Sequence, residues 1–467
     1  MISLRTNLAN WLQSNLEILP PLAVGAALRL ALMVAAYLLT GTEVITQGDT
    51  ATYVEPGRNL ILHGVYTAGG LPEIDRTPGY PLFVTLSGML FGNVLLAVTA
   101  QIALASLSLL LVSKIARRTF SNQATGTKAG VAAAWLYALD PVSITYTARL
   151  LPETLFILLL LFVIDRLLAF YSHHKLSTLC LAGVTLAAAT YVRPVSYYFV
   201  LPLAAALSLT VPSRRGLRWK APAVLLLTTL PLIALWQIRN AIETGYSGFS
   251  SIVEENLYFF QSAELTAELQ HIPIEVEQQK LGYPDEASYI SAHPEQRLWS
   301  ESQRLHFMHN EAVRVISRNR WLYLKSHLTG VAIVAFSPCA TEFVQLIGAY
   351  PSNSQMPGSK IPGRIVNYGI LASLRATVFA YPGLTFAKAL FELYLCGLYV
   401  LAIRGVASRQ GSGISIVTLI GISLYFLLIS GGAQAVARYR LPVQPELCVL
   451  AAGGFVALPK KKMDEAR

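Results

Sequence analysis

Charged side chains are the scarcest feature of this sequence. They make up 13% of its 467 residues, against about 25% in soluble domains. So few charges cannot cover a water-facing surface of this size, which excludes a soluble globular fold. Cysteine is nearly missing as well. Cys180, Cys339, Cys396 and Cys448 form no CxxC pair, and three of them lie in apolar runs. They read as small core side chains, not as a disulfide framework or a metal site. Aspartate occurs only six times and never as DxD, so the usual metal clamp for nucleotide-sugars has no support. There is no internal repeat and no low-complexity tract.

What is present is apolar: 54% of residues are hydrophobic and the mean hydropathy is +0.50. The formal charge of +10 sits at the ends of apolar runs. That fits the excess of Lys and Arg in cytoplasmic loops better than a nucleic-acid surface. Ten runs approach the roughly 20 residues needed to span a bilayer. They lie at about Pro21–Thr40, Val94–Ile115, Gly130–Thr147, Glu153–Tyr171, Leu176–Tyr191, Val195–Val211, Ala221–Ile238, Leu384–Ile403, Ile414–Ile429 and Leu441–Leu458. The first is too long for a typical signal core and reads as a signal anchor. Arg29 interrupts it, and is expected to face protein or lie toward the cytoplasmic side. Arg117, Arg118 and Lys128 flank one loop, and Arg214, Arg215, Arg218 and Lys220 fill another. Arg404 and Arg409 mark a third, and Lys460, Lys461 and Lys462 follow the last run. Ten spans put all four basic groups on one side, with both termini cytoplasmic. Ser326–Gly348 contains Pro338 and Glu342, and Ile365–Ala380 contains Arg375. Either both span, giving twelve, or neither does; broken or interfacial helices are the expectation.

The fold expected is therefore an all-α polytopic membrane bundle with short helices lying on its outer face. Residues 1–240 form an N-terminal transmembrane module with a first outer loop at 41–93. Thr50–His63 and Pro81–Phe91 within that loop read as surface helices. Residues 241–325 form a large outer loop with 12 Asp/Glu and 7 Lys/Arg, and residues 326–467 a C-terminal module. The large loop ends in helical spacing over Glu295–Trp321. Glu255–Ser262 reads ENLYFFQS, close to a protease tag, and is taken as native.

Asp49, in GDTATY, stands just beyond the first span. It is a candidate general base, and equally a helix N-cap for Thr50–His63. Glu153, in RLLPETLF, opens a span behind Pro152, where a carboxylate suits the helix dipole. A carboxylate entering the bilayer is also a functional-site hypothesis, and Asp140 in ALDPVS is a weaker one. Arg76, Arg149, Arg193, Arg239, Arg438 and Arg440 all fall near outer boundaries, where orientation rules do not require them. Single arginines there snorkel or bind loop carbonyls; six together point to an anion site, because the guanidinium fork matches phosphate. His306 and His309 form HxxH near His293, which reads as a solvated helix face. The sequence shows no required cofactor and no supported divalent metal. Tyr80 and Trp321 fit aromatic belts.

GDTATYVEPGRNLILHGVY followed by DRTPGYPLFVTLSGMLFG resembles the first outer loop of GT-C glycosyltransferases. The resemblance is greatest to the protein O-mannosyltransferase-like branch, which includes the bacterial aminoarabinose transferase acting on lipid A. RLLPETLF, YVRPVSYY, WQIRNAIETGY and ARYRLPVQP resemble later landmarks in the same order. The resemblance implies an inverting transfer from a polyprenyl-phosphate-linked sugar to a glycan, lipid or protein hydroxyl. It implies a bacterial inner-membrane enzyme working on the periplasmic face. It matches Asp49 to the catalytic acid position and Glu153 to a second one. Arg76, Arg193, Arg438 and Arg440, with Tyr53 and Tyr80, then fall to the donor and its lipid phosphate. The large C-terminal soluble domain of some relatives has no counterpart here, which leaves acceptor recognition to the outer loops. Membrane lipids are partners on this reading and nucleic acid is not. A transporter or lipid flippase is the alternative, but no matching half is found. A glycan polymerase or ligase shares substrates without this motif order.

Overall fold

The computed structural model describes residues 16–120, 123–211, 216–351 and 381–457. Its described residues are overwhelmingly helical, with one two-stranded hairpin. Helix α1 (Leu19–Thr40) starts on prolines in its first turn and stops at Gly41, whose φ of 68° lets the chain leave the helix. A first outer loop follows: α2 (Thr50–His63), the hairpin β1 (Thr67–Ala68) and β2 (Leu71–Pro72), and α3 (Gly79–Ser87). Helix α4 (Val94–Thr119) is capped at its start by Asn93 and carries Arg117 and Arg118 in its last turn, both favourable to the helix dipole. Next come α5 (Gln123–Ala138), α6 (Pro141–Thr147), α7 (Glu153–His173), α8 (Leu176–Val192), α9 (Val200–Thr210) and α10 (Leu217–Thr244).

The large outer loop is a chain of short helices. Helix α11 (Ile252–Glu255) continues through a π-helical stretch (Asn256–Ser262) into α12 (Ala263–Gln270). Helices α13 (Ile274–Leu281), α14 (Glu286–Ala292) and α15 (Glu301–Arg318) follow. Ser300 and Gln303 make a capping box for α15. Its Leu305, Met308 and Ala312 are buried at the expected helical spacing, while Leu298 precedes the helix and is exposed. These three pack with Tyr258, Phe259 and Tyr289 around Ile74, which comes from the first outer loop. The ENLYFFQS segment therefore supplies the core of this unit.

The last part comprises α16 (Arg320–Phe336), α17 (Thr341–Leu346), α18 (Pro382–Ala407), α19 (Gly413–Ile429) and α20 (Gln444–Val456). The broken helix expected over Ser326–Gly348 is seen, with the break at Ser337–Ala340 ahead of α17. Ile365–Ala380 lies outside the described residues, as do Arg214, Arg215 and Lys460–Lys462.

Among the described residues, five helices are long and apolar enough to cross a membrane: Leu16–Thr40, Val94–Thr119, Glu153–His173, Leu217–Thr244 and Pro382–Ala407. Three more expected spans fall on shorter apolar helices, Leu176–Val192, Pro194–Thr210 and Gly413–Ile429. The expected span Gly130–Thr147 is instead two helices, α5 and α6. Asp140 breaks it by accepting the amides of Val142 and Ser143, and Pro141 opens α6. Arg29 faces protein, as expected: it is buried and donates to Ser143 Oγ at 2.8 Å and to the Gly25 carbonyl at 3.0 Å. Glycine sets the closest approaches. A Cβ on Gly57 would strike Thr85 and Pro81, so this residue brings α2 against α3.

A candidate active site of two carboxylates and three arginines

Asp49 stands at the start of α2, and its carbonyl accepts the Thr52 amide at 3.1 Å and the Thr52 hydroxyl at 2.7 Å. Its side chain does not cap the helix. Its backbone is already helical, with φ −73° and ψ −3°, whereas capping residues usually hold an extended conformation. The carboxylate instead faces two arginines: Arg76 Nη2 lies 3.4 Å from Oδ1 and Arg438 Nη2 lies 3.4 Å from Oδ2.

Glu153, the first residue of α7, is 1% exposed. Its Oε1 lies 3.0 Å from Arg438 Nε and 3.1 Å from Arg193 Nη1. These are ion pairs by distance, but they are not aligned as hydrogen bonds, and neither Glu153 oxygen has a hydrogen-bond partner among the described residues. Arg438 thus bridges the two carboxylates. Three guanidiniums thus face two carboxylates in a half-buried setting.

Each arginine is held by its element. Arg76 follows a tight loop in which Glu73 Oε1 accepts the amides of Asp75 at 2.6 Å and Arg76 at 2.8 Å. The large outer loop braces that loop, with the Ser251 amide donating to the Ile74 carbonyl at 3.1 Å. Arg76 Nε donates to Thr52 Oγ1 at 3.0 Å and the guanidinium lies 4.9 Å from the Tyr53 ring centre. Tyr53 meets the Tyr80 ring edge-on at 5.0 Å. Tyr80 is buried behind it and donates to Gln101 Oε1 at 2.9 Å, so Tyr80 supports the wall and Tyr53 forms it. Arg193 and Arg438 flank the Tyr439 ring at 5.8 and 5.6 Å.

Other candidates lie elsewhere. Arg440 Nη1 donates to the carbonyls of Val334, Ala335 and Ser337 at 2.8, 3.0 and 2.9 Å. It satisfies the orphan carbonyls at the end of α16, and is fully buried there, apart from Asp49 and Glu153. Arg239 donates to the carbonyls of Glu73 and Tyr66 at 2.7 and 2.8 Å, and Arg149 to Gln47 Oε1 at 3.4 Å. Asp75 accepts from the Ser251 hydroxyl, and among the described residues no arginine pairs with it. Asp140 accepts from Gln444 at 3.0 Å besides capping α6. His309 Nδ1 lies 3.8 Å from Glu254, and His293 pairs with the Tyr258 hydroxyl at 3.1 Å. Among the described residues no group of three or more His, Cys, Asp or Glu is arranged to hold a metal. Thr52 and Tyr439 were not anticipated; both lie inside the quoted motifs GDTATY and ARYRLP.

Chemically, the site offers one accessible carboxylate and a basic wall. The Asp49 side chain is 37% exposed, and its 3.4 Å contacts are longer than the about 2.7–2.9 Å of a tight charge-assisted bond. Each oxygen accepts one such long hydrogen bond and keeps a further acceptor position.

Residues 75–237 match the family model described as dolichyl-phosphate-mannose-protein mannosyltransferase. The matched segment contains Arg76, Glu153 and Arg193. No curated protein matches the chain. Among solved structures, the archaeal oligosaccharyltransferase AglB from Archaeoglobus fulgidus, with an inhibitory peptide and a dolichol-phosphate, superposes with a TM-score of 0.48 at 13% identity. That match covers 94% of this chain and 50% of the other. A second structure from the same organism, tethered to an acceptor peptide, gives 0.47 at 14% identity over 95% and 50%. The chain spans about half the length of these solved structures. Over residues 75–237, about a third of its length, the chain is therefore similar to this mannosyltransferase family, and that segment holds three of the motifs quoted above, DRTPGYPLFVTLSGMLFG, RLLPETLF and YVRPVSYY.

Proposed function

We propose that the protein transfers a sugar from a polyprenyl-phosphate carrier to an acceptor hydroxyl on the outer face of the membrane, with inversion. Asp49 Oδ takes the proton of the acceptor hydroxyl as its oxygen bonds to the anomeric carbon. The bond from that carbon to the phosphate oxygen breaks, and its electron pair stays on the phosphate. No general acid is needed, because a phosphate with a second pKa near 6 is a competent leaving group. Its charge grows from about −1 toward −2 as it leaves. Arg76, Arg193 and Arg438 face that growing charge, so they bind the transition state more tightly than the ground state. Glu153 keeps Arg193 and Arg438 in place before the donor arrives, since unpaired guanidiniums would repel each other.

The observation that carries this reading is Arg438, which joins Asp49 to Glu153 at 3.4 and 3.0 Å. A carboxylate beside clustered guanidiniums supports a proton acceptor next to a phosphate-binding wall. The test is made in cells lacking the gene, by mass spectrometry of their lipids. A sugar-linked polyprenyl phosphate should accumulate, and the wild-type gene should clear it. Asp49→Asn keeps the size of the side chain and removes its basicity. In purified form it should lose about 100-fold or more in turnover while keeping its fold. Near-normal transfer by that variant would remove Asp49 from the chemistry. Accumulation of a lipid without sugar would favour a flippase.

A further inference from the structure

A second charged cluster stands at the far end of α7. From 153 to 165 the helix rises roughly 18 Å, so Asp165 lies toward the membrane boundary opposite the candidate active site. It is completely buried and draws in three cations from two helices. Lys114 Nζ on α4 lies 3.1 Å from Oδ2, and Arg118 Nη1, one turn further along α4, lies 2.7 Å from Oδ1. Arg166 Nε on α7 donates to Oδ2 at 3.0 Å, and its guanidinium lies 5.2 Å from the Phe162 ring centre. Among the described residues, Asp165 is the one carboxylate within ion-pair distance of these cations.

Neutralising one buried carboxylate requires one cation. The other two leave two formal positive charges converging on one spot. The Lys114 and Arg118 side chains are 46% and 30% exposed, so the cluster opens outward along α4. The preference for basic loops on one side of a membrane accounts for cations on that side. It does not account for three of them being gathered by a buried acid. Basic pockets between transmembrane helices at headgroup depth bind anionic lipids. We infer that Lys114, Arg118 and Arg166, held together by Asp165, form a binding site for the phosphate of an anionic phospholipid at the boundary opposite Asp49. The buried acid fixes the cations in advance, so the ordering cost is met before the lipid arrives.

The test is native mass spectrometry of the full chain released from micelles containing equal phosphatidylglycerol and phosphatidylcholine. The wild-type chain should retain phosphatidylglycerol selectively. Lys114→Gln leaves both Asp165 oxygens paired, by Arg118 and Arg166, and so should fold; it should retain about fivefold less, as for one cation near a lipid surface. Asp165→Asn keeps the cations but removes the acid that fixes them, and should retain less than wild type despite its higher positive charge. Equal retention of the two lipids by the wild-type chain would overturn the inference. So would unchanged retention by Lys114→Gln, which would reduce the cations to counter-ions of Asp165. Displacement of the lipid by low-millimolar glycerol phosphate would assign the site to free phosphate instead, and would equally overturn it.

Discussion

Two positions separate Arg438 from Arg440, and they serve different ends. Both lie in a 3-10 stretch, Ala437–Val443, where about three residues make a turn. Neighbours two apart therefore point in widely different directions. Arg438 reaches Asp49 and Glu153, while Arg440 turns into the core and closes the end of α16. The motif ARYRLP shows both arginines; only the phase of that short helix assigns them. The same holds for Tyr53 and Tyr80, of which only Tyr53 stands beside a guanidinium. Arg193→Lys and Arg438→Lys should stay impaired. Lysine keeps the charge but loses the fork that matches phosphate. Losing one hydrogen bond to a charged group costs about 1.5–3 kcal/mol, so kcat/KM measured with a polyprenyl-phosphate sugar should fall about tenfold or more. Arg440→Lys should lower thermal stability instead, since it acts on backbone carbonyls.

Among elements, the surface helix Thr50–His63 is fully legible, because its apolar spacing and Gly64 stop mark both ends. The span at Gly130–Thr147 is misread, although Asp140 and Pro141 are a visible start signal for a new helix. Continuous hydrophobicity across the junction outweighs that signal in a reading by composition. The contact between the two outer loops is not legible, since Ile74 and Tyr258 meet only through the fold. That contact carries a pH dependence. Burial pushes the Glu255 carboxyl up to about 8, with Asp75 adding to the shift and Arg76 opposing it. Burial likewise raises Glu301 to about 7. A carboxyl raised in the folded state stabilises the folded loop only in its protonated form, and between the two pKa values the folded loop holds a proton the unfolded chain has released, so stability falls with pH. That stabilisation is fully present below about pH 4.5, fades as pH rises through 7 and is lost above about 8. Thermal melts should therefore show a midpoint that falls from pH 5 to pH 9. Glu255→Gln should flatten this slope. A slope unchanged by that substitution would remove Glu255 as its origin.

For the whole molecule, the ordering of motifs carried more than any single one. Two carboxylates and three arginines 389 positions apart at the extremes, from Asp49 to Arg438, converge on one site. Hydropathy alone yields helices without saying which ends meet. The basic loops still call for both termini in the cytoplasm, and this orientation is open to labelling. A cysteine placed at Gly216 should react only from the inside, and one at Asp285 only from the outside. Either result reversed would turn the molecule over and put Asp49 on the cytoplasmic face.

On the function proposed above, Arg76, Arg193 and Arg438 receive the phosphate of the lipid-linked sugar. Binding of a polyprenyl monophosphate to the purified chain, followed by native mass spectrometry or by its protection against heat, tests this most directly. Wild type should retain it, Asp49→Asn should retain it as well, and Arg193→Ala with Arg438→Ala should lose it by at least tenfold, as for one lost hydrogen bond to a charged group. Equal retention by the double variant, with its fold intact, would contradict the account.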